Sequence, residues 1–139
     1  MVQRLVALRS KQYGPEDPAT AIALHNNAEI LIAQNRYAEA EKLEQRALMV
    51  FEKKLGTNHV NTATALHNLG AILLKLEQYK EAEKYLRRAL ASKEKALKPG
   101  HLSIAHTLDN LSAALAGQGR QPEADKYRRR AEDIRRKTG

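Results

Sequence analysis

The chain has 139 residues, 42% of them hydrophobic and 29% charged, and its 24 basic and 16 acidic side chains leave a net charge of +8. That hydrophobic share is too high for a disordered chain, and no stretch reaches the roughly 18 uncharged apolar residues of a membrane span. The absence of cysteine excludes disulfides, thiolate metal sites and a cysteine nucleophile, and four Pro with seven Gly are too few for the tight turns of an all-β fold. An all-α protein of the cytoplasm, with no membrane contact, is the expectation that remains.

The first segment, residues 1–14, opens with MVQRLVALRSKQ. Arg4 and Arg9 interrupt its apolar residues, so it lacks the core of a secretory signal, and it is expected to form a leading helix. Beyond it the chain repeats. Laid at an offset of 42, Pro18–His59 and Val60–His101 share 20 of 42 identities, and Leu102–Gly139 is a third, slightly shorter copy. Three-fold columns recur at this one period: Ala21/Ala63/Ala105, Leu24/Leu66/Leu108, Asn26/Asn68/Asn110, Leu31/Leu73/Leu115, Ala40/Ala82/Ala124 and Ala47/Ala89/Ala131. A constant period of this length marks a stacked repeat array, here divided into 18–59, 60–101 and 102–139 behind the half repeat 1–14.

Within each copy the apolar residues step by three and four, the helical period. Ala63, Leu66, Leu69, Gly70 and Leu73 make one stripe; Tyr79, Ala82, Tyr85, Leu86, Ala89 and Leu90 make a second. Asn35-Arg36, Glu77-Gln78 and Gly119-Arg120-Gln121 break the helices, and Asn35 and Gly119 tolerate the left-handed conformation that ends one. Pro122 suits the first turn of the helix that follows. Between copies stand Gly14-Pro15-Glu16-Asp17-Pro18, Gly56-Thr57-Asn58-His59 and Pro99-Gly100-His101, all turn chemistry. Each copy is therefore a hairpin of helices A and B, giving about seven helices in all. The small residues Ala28/Gly70/Ser112 and Ala40/Ala82 belong where two helices cross closely.

These residues carry a resemblance. The A/turn/B spacing with L-x-N-L-G-x-x-L, then Y-x-E-A and R-A-L, resembles a tetratricopeptide repeat, and the 42-residue period with its linkers is similar to the repeats of kinesin light chains. The resemblance implies a right-handed α-solenoid whose A helices line a concave groove for a partner's peptide. Several positions depart from the pattern. Asn27 stands where Leu69 and Leu111 occur, and Glu44 where Leu86 does, so the first hairpin is expected to pack less well. Gln121 replaces Tyr37/Tyr79, and Glu132 replaces Leu48/Leu90, which makes the last helix a polar cap and the C-terminus an expected end of the array. Met1–Tyr13 matches the latter part of a helix B. Val2, Leu5, Val6 and Leu8 can cover one side of the first A helix; the helix is expected to cap the array or to continue from a longer chain, with a homo-oligomer through this end as the alternative.

The groove positions implied by the resemblance are Ile22, His25, Asn26, Glu29 and Ile32; then Thr64, His67, Asn68, Ala71, Leu74 and Lys75; then His106, Asp109, Asn110, Ala113 and Ala116. Asn26, Asn68 and Asn110 form a ladder whose amides suit a peptide backbone, because each offers a donor and an acceptor together. Specificity would come from His25, His67, His106, Lys75 and Asp109, with Ile32 and Leu74 as apolar contacts. The carboxylate clamp known in the family is not matched: only Asn68 fits, and Glu29 would repel a carboxylate.

Positive charge gathers on the B helices, most densely at Arg128, Arg129, Arg130, Arg135, Arg136 and Lys137. Nucleic acid or an acidic protein could meet that patch, but the A helices lack the Lys and Arg lining of a phosphate-tracking groove. Local pairs such as Glu81 with Lys84 and Glu83 with Arg87 favour a solvated face. The histidines do not make a metal centre, because equivalent positions on successive helices lie too far apart for ligands at ~2.0–2.2 Å from one ion; His59 and His101 belong to linkers, where they pack or cap. No nucleophile–base order, phosphate loop or HExxH helix is present, so neither enzyme activity nor a cofactor is expected.

Overall fold

Two kinds of turn partition the chain into helices, one before each A helix and one between A and B. The computed structural model describes residues 2–138, with side chains from Leu5 onward, so Val2 and Arg4 fall outside the described side chains. Seven helices follow one another: α1 (Val2–Tyr13), α2 (Pro18–Ala33), α3 (Tyr37–Leu55), α4 (Val60–Lys75), α5 (Tyr79–Ala96), α6 (Leu102–Gly117) and α7 (Gln121–Thr138). No strand occurs among the described residues, and no described helix is long and apolar enough to cross a membrane.

Each A helix starts on a side-chain cap. Asp17 Oδ1 accepts from the Ala19 N–H at 2.8 Å, with Pro18 in the first turn. His59 Nδ1 accepts from the Asn61 N–H and His101 Nδ1 from the Ser103 N–H, each at 3.0 Å. The imidazole does the work of the aspartate by satisfying one orphan donor of the helix end, and it can do so only while Nδ1 is unprotonated. Beneath the first two caps, the Thr20 and Thr62 hydroxyls donate to the carbonyls of Gly14 and Gly56, both at 2.7 Å.

Each A helix also ends in one way. Asn35, Glu77 and Gly119 adopt φ of 61°, 58° and 77°. The following N–H groups of Arg36, Gln78 and Arg120 return to the carbonyls of Leu31, Leu73 and Leu115 at 2.8, 2.9 and 3.0 Å. This left-handed stop reverses the chain and launches helix B. Asn35 and Gly119 take the conformation expected of them. Glu77 takes it without the residue chemistry for it.

The core runs along the junctions between hairpins. Ala21 and Leu24 of α2, Ala47, Leu48, Val50 and Phe51 of α3, Ala65, Leu66 and Leu69 of α4, and Ala89 of α5 form one buried cluster. Leu73, Leu86, Leu90, Ile104, Leu108, Leu111, Leu115, Ala124 and Ala131 form most of another, running from α4 to α7. Each A helix is thus buried by the helix B before it as well as by its own, the arrangement of a stacked solenoid. Glu44, in the column of Leu86, is fully buried and hydrogen-bonded to His25. Asn27, in a leucine column, is also buried.

A Cβ at Gly70 would collide with Leu86 Cγ, and Leu86 is fully buried. Gly70→Ala should therefore destabilise the protein by about 1–3 kcal/mol through overpacking. Glu77→Gly should stabilise it by about 0.5–1 kcal/mol, because relief of the left-handed backbone exceeds the added entropy of the unfolded chain. Urea unfolding followed by circular dichroism checks both signs.

Candidate functional site

The A helices α2, α4 and α6 form the inner layer, with α4 touching α6 directly. One column of this layer reads His25, His67, Asp109, and the structure answers each member differently. His25 places Nδ1 2.7 Å from Glu44 Oε1 of α3 and Nε2 3.1 Å from Glu29 Oε1 one turn along its own helix. With a carboxylate on each nitrogen, the ring is built to be an imidazolium. Burial opposes that charge, but the hydrogen bond and charge of Glu44, followed by those of Glu29, outweigh it and hold His25 above its ordinary pKa. Burial pushes the Glu44 carboxyl up, against the hydrogen bonds and charge of His25 and the amide of Asn68. Glu44 Oε2 has no well-formed hydrogen bond and no contact with solvent.

His67 stands among neutral and positive groups. The Thr107 hydroxyl donates to the Ser103 carbonyl at 3.3 Å, leaving its oxygen to accept from His67 Nδ1–H at 2.9 Å. Nε2 is then free to accept from the Asn110 amide, 3.4 Å away. Burial, aided by the charges of Lys93 and His106, pushes His67 down to about 4. Lys93 of α5 is itself only 5% exposed. Its ammonium donates to the Ser103 carbonyl at 3.2 Å, and burial lowers its pKa to about 8. The third member, Asp109, accepts from Arg135 of α7 at 2.6 Å.

The asparagine ladder is not uniform. Asn26 is exposed and lines a shallow groove between α1 and α2 with Leu5, Arg9 and Ile22. Asn68 and Asn110 are half-buried, and each amide nitrogen lies 3.4 Å from a ring nitrogen of the preceding histidine, His25 or His67. The Asn110 contact is weak at that length, and a protonated His25 has no lone pair to accept from Asn68, whose amide serves Glu44 instead. Glu29, Lys75, His106, Ala113 and Ala116 are exposed, and Ala71 is half-buried. Thr64 turns its hydroxyl back to the Val60 carbonyl at 2.9 Å. Ile32 and Leu74 are half-buried against the core clusters.

The basic surface is largely neutralised. Arg128 lies 3.2 Å from Asp125 and 3.8 Å from Glu132; Arg130 lies 3.5 Å from Glu94, and Arg136 pairs with Asp133. Arg129 and Lys137 have no ion pair among the described residues, and the expected Glu81–Lys84 pair is likewise absent there. Glu83 does meet Arg87, at 2.8 Å, and also accepts from Arg120 and from the Gln118 amide, both at 2.9 Å. Burial works against the Glu83 charge, but hydrogen bonds from Gln118 and Arg87 and the charge of Arg120 hold its carboxyl below the usual range. Sequence reasoning missed Glu44, Lys93 and Thr107. Only the column comparison Glu44/Leu86 and Phe51/Lys93 carried a signal for the first two. Among the described residues, no group of three or more His, Asp or Glu is arranged to hold a metal ion.

The model of the tetratricopeptide repeat family matches residues 1–53, 21–95 and 61–137. No curated protein is significantly similar to the chain. Among solved structures, BtubC (BKLC) from P. vanneervenii superposes with a TM-score of 0.88 at 23% identity, over 99% of this chain and 55% of that one. A kinesin light chain-type protein of Podosopora anserina with nearly identical TPR-like repeats gives 0.77 at 24% identity, over 99% and 65%. A single-substitution variant of it gives 0.80 at 24% identity with the same coverage. These similarities establish the fold, and the chain spans little more than half to two-thirds of the length of those structures.

Glu83 joins α5 to the start of α7. Glu83→Ala should cost about 1 kcal/mol, discounted for its half-exposed arginine partners. Because the folded carboxyl has the lower pKa, that contribution is present above pH 4.5 and fades as pH falls through the folded value. Urea titrations of the two proteins at neutral and acid pH should therefore converge in acid.

Proposed function

Because the chain belongs to the tetratricopeptide repeat family, we propose that it is a non-catalytic interaction module holding a peptide segment of a partner protein along the inner helix layer, acting in the cytoplasm. The observation that carries this reading is the contrast between the two faces. Most arginines of the outer helices are engaged with carboxylates. The inner layer instead sets small residues, Ala71, Ala113 and Ala116, beside exposed or half-exposed polar ones, Asn26, Glu29, Asn68, His106 and Asn110. Small side chains leave room for a backbone, and amides beside them can pair with its peptide groups without reading its side chains. Glu29, Lys75 and His106 would select among partners; Asp109 is already matched by Arg135.

A second reading has its own support. Leu5 and Leu8 of α1 are 38% and 58% exposed, and Ile22 beside them is 43% exposed. This apolar end suits a homo-oligomer. Binding of nucleic acid has less support, since Arg128, Arg130, Arg135 and Arg136 already meet acids.

Capture of partners from source lysate, with and without nuclease, separates these readings. Ala71→Arg and Ala113→Arg should abolish capture by filling the inner layer. Asn68→Ala should weaken it by about 1–3 kcal/mol, the worth of one paired polar contact. Capture lost instead with nuclease, or only with the Arg128/Arg129/Arg130→Glu triple, would move function to the outer face. A mass that rises with concentration and returns to monomer with Leu5→Glu/Leu8→Glu would favour self-association.

A further inference from the structure

His25 and His67 share a column and a fold position, yet their surroundings have opposite sign. At the junction of α2, α3 and α4, the groups facing His25 are Glu29 from its own helix, Glu44 from α3 and the neutral amide of Asn68 from α4. At the junction of α4, α5 and α6, the groups facing His67 are Lys93 from α5 and Thr107, Asn110 and His106 from α6. Two carboxylates surround the first ring. A buried ammonium, a second imidazole and two neutral groups surround the other. The exchange follows from substitutions at four columns: Glu29 becomes Ala71, Glu44 becomes Leu86, Phe51 becomes Lys93, and Thr64 becomes His106.

We infer that the two repeat junctions are coupled to protons with opposite sign, so that acidification tightens the α2/α3/α4 junction and loosens the α4/α5/α6 junction. His25 is held above 6.5, so the folded junction takes up its proton before the unfolded chain does. Its contribution is complete below pH 6.5 and is lost as pH rises through the folded value. His67 runs the other way. The unfolded chain takes up that proton from 6.5 downward, while the folded junction refuses it until about 4. Across that interval the opening equilibrium of the junction rises by up to about tenfold for each pH unit of acidification. Lys93, near 8, is already charged in this range and opposes a second positive charge at His67.

The matched pairs also make the device separable. Gly70 leaves the space that Leu86 fills, whereas Ala28 stands in the equivalent place opposite Glu44. Leucine alone at position 44 would meet the Ala28 methyl, so the compatible exchange is Ala28→Gly with Glu44→Leu, which rebuilds the second junction's apolar pair in the first. Along the inner layer the result is a chain whose rigidity shifts from one junction to the other with pH. A bound segment crossing both would experience that shift, a consequence resting on the groove reading, which the junction measurements do not require.

The test is a nuclear magnetic resonance titration of the imidazole Cε1–H signals of the whole chain, with amide-exchange protection corrected for intrinsic rates. The expected result is a His25 inflection above 6.5 and a His67 inflection well below it. Between about pH 7.5 and about pH 5, protection of α2–α4 should rise relative to α5–α6 by tenfold or more. Glu44→Gln, which keeps the shape and removes the charge, should bring His25 down to its ordinary value or lower and leave His67 unchanged. The Ala28→Gly/Glu44→Leu double variant should remove the acid tightening of the first junction alone. A His25 inflection at or below 6.5 in the wild type would overturn the proposal, as would His25 and His67 titrating together or no response of His25 to Glu44→Gln.

Discussion

The structure depends on close approach between neighbouring helices, and one column sets that approach. Ala28, Gly70 and Ser112 occupy equivalent places on α2, α4 and α6. Ala28 is fully buried, Gly70 stands against Leu86 with no room for a Cβ, and Ser112 donates its hydroxyl to the Ala124 carbonyl at 2.7 Å. Because interaxial distance follows from the side chains at the contact, these residues bring each helix B near enough to bury the next helix A as well. The core then continues along the stack, and stability resides in the junctions as much as in the hairpins. A polar residue placed at a junction is therefore sealed from water and must find a partner there.

That requirement explains the pairing of His25 and His67 in the inner column, whose third member, Asp109, is partly exposed. Each copy supplies a polar group at one place and surrounds it differently: Glu44 pairs with His25, Thr107 and Asn110 meet His67 with Lys93 nearby, and Arg135 pairs with Asp109. Glu44 comes from the column occupied elsewhere by Leu86 and Arg128. Lys93 and Arg135 share the column that begins with Phe51. The solenoid repeats its backbone far more faithfully than its charges, so equivalent residues acquire different ionisation. A buried ion pair is weak evidence for stability, because desolvation offsets much of the attraction. Its effect here is on how the junction responds to protons, and the unmatched Oε2 of Glu44 marks the site as one held at a cost.

Seven helices were legible because one period fixes every boundary. Asp17, His59 and His101 fall at a common step, so a recognisable N-cap at Asp17 identifies the other two even though histidine is not a usual cap. Asn35 and Gly119 announce the left-handed stop, whereas Glu77 does not; its backbone is imposed by hairpin closure and overrides local preference. The site was less legible for a different reason. Glu44 looked like a defect in an apolar column because its partners, His25 and Asn68, lie in other columns and other helices. Lys93 is buried by the packing of α5 over the start of α6, a contact that the helical pattern of α5 alone does not reveal. Contacts between residues 26 or 36 positions apart, such as Arg135 with Asp109 and Arg130 with Glu94, have no signature in local spacing.

The same cross-helix pairing bears on what a net charge of +8 means for function. Counted along the chain, the arginines of α7 form a basic block; placed in the fold, four of them lie against Asp109, Glu94, Asp125, Glu132 or Asp133. Such exposed pairs add little stability individually, but each lowers the field that the surface projects toward a phosphate backbone. An interaction surface for nucleic acid needs unneutralised cations along a continuous track, and ion pairing divides this one into short pieces. The inner layer has the complementary property. Its charges are few, its small residues leave space, and each of its amide groups offers a donor and an acceptor together. The distribution of paired and unpaired groups, rather than the total charge, is what directs the functional reading inward.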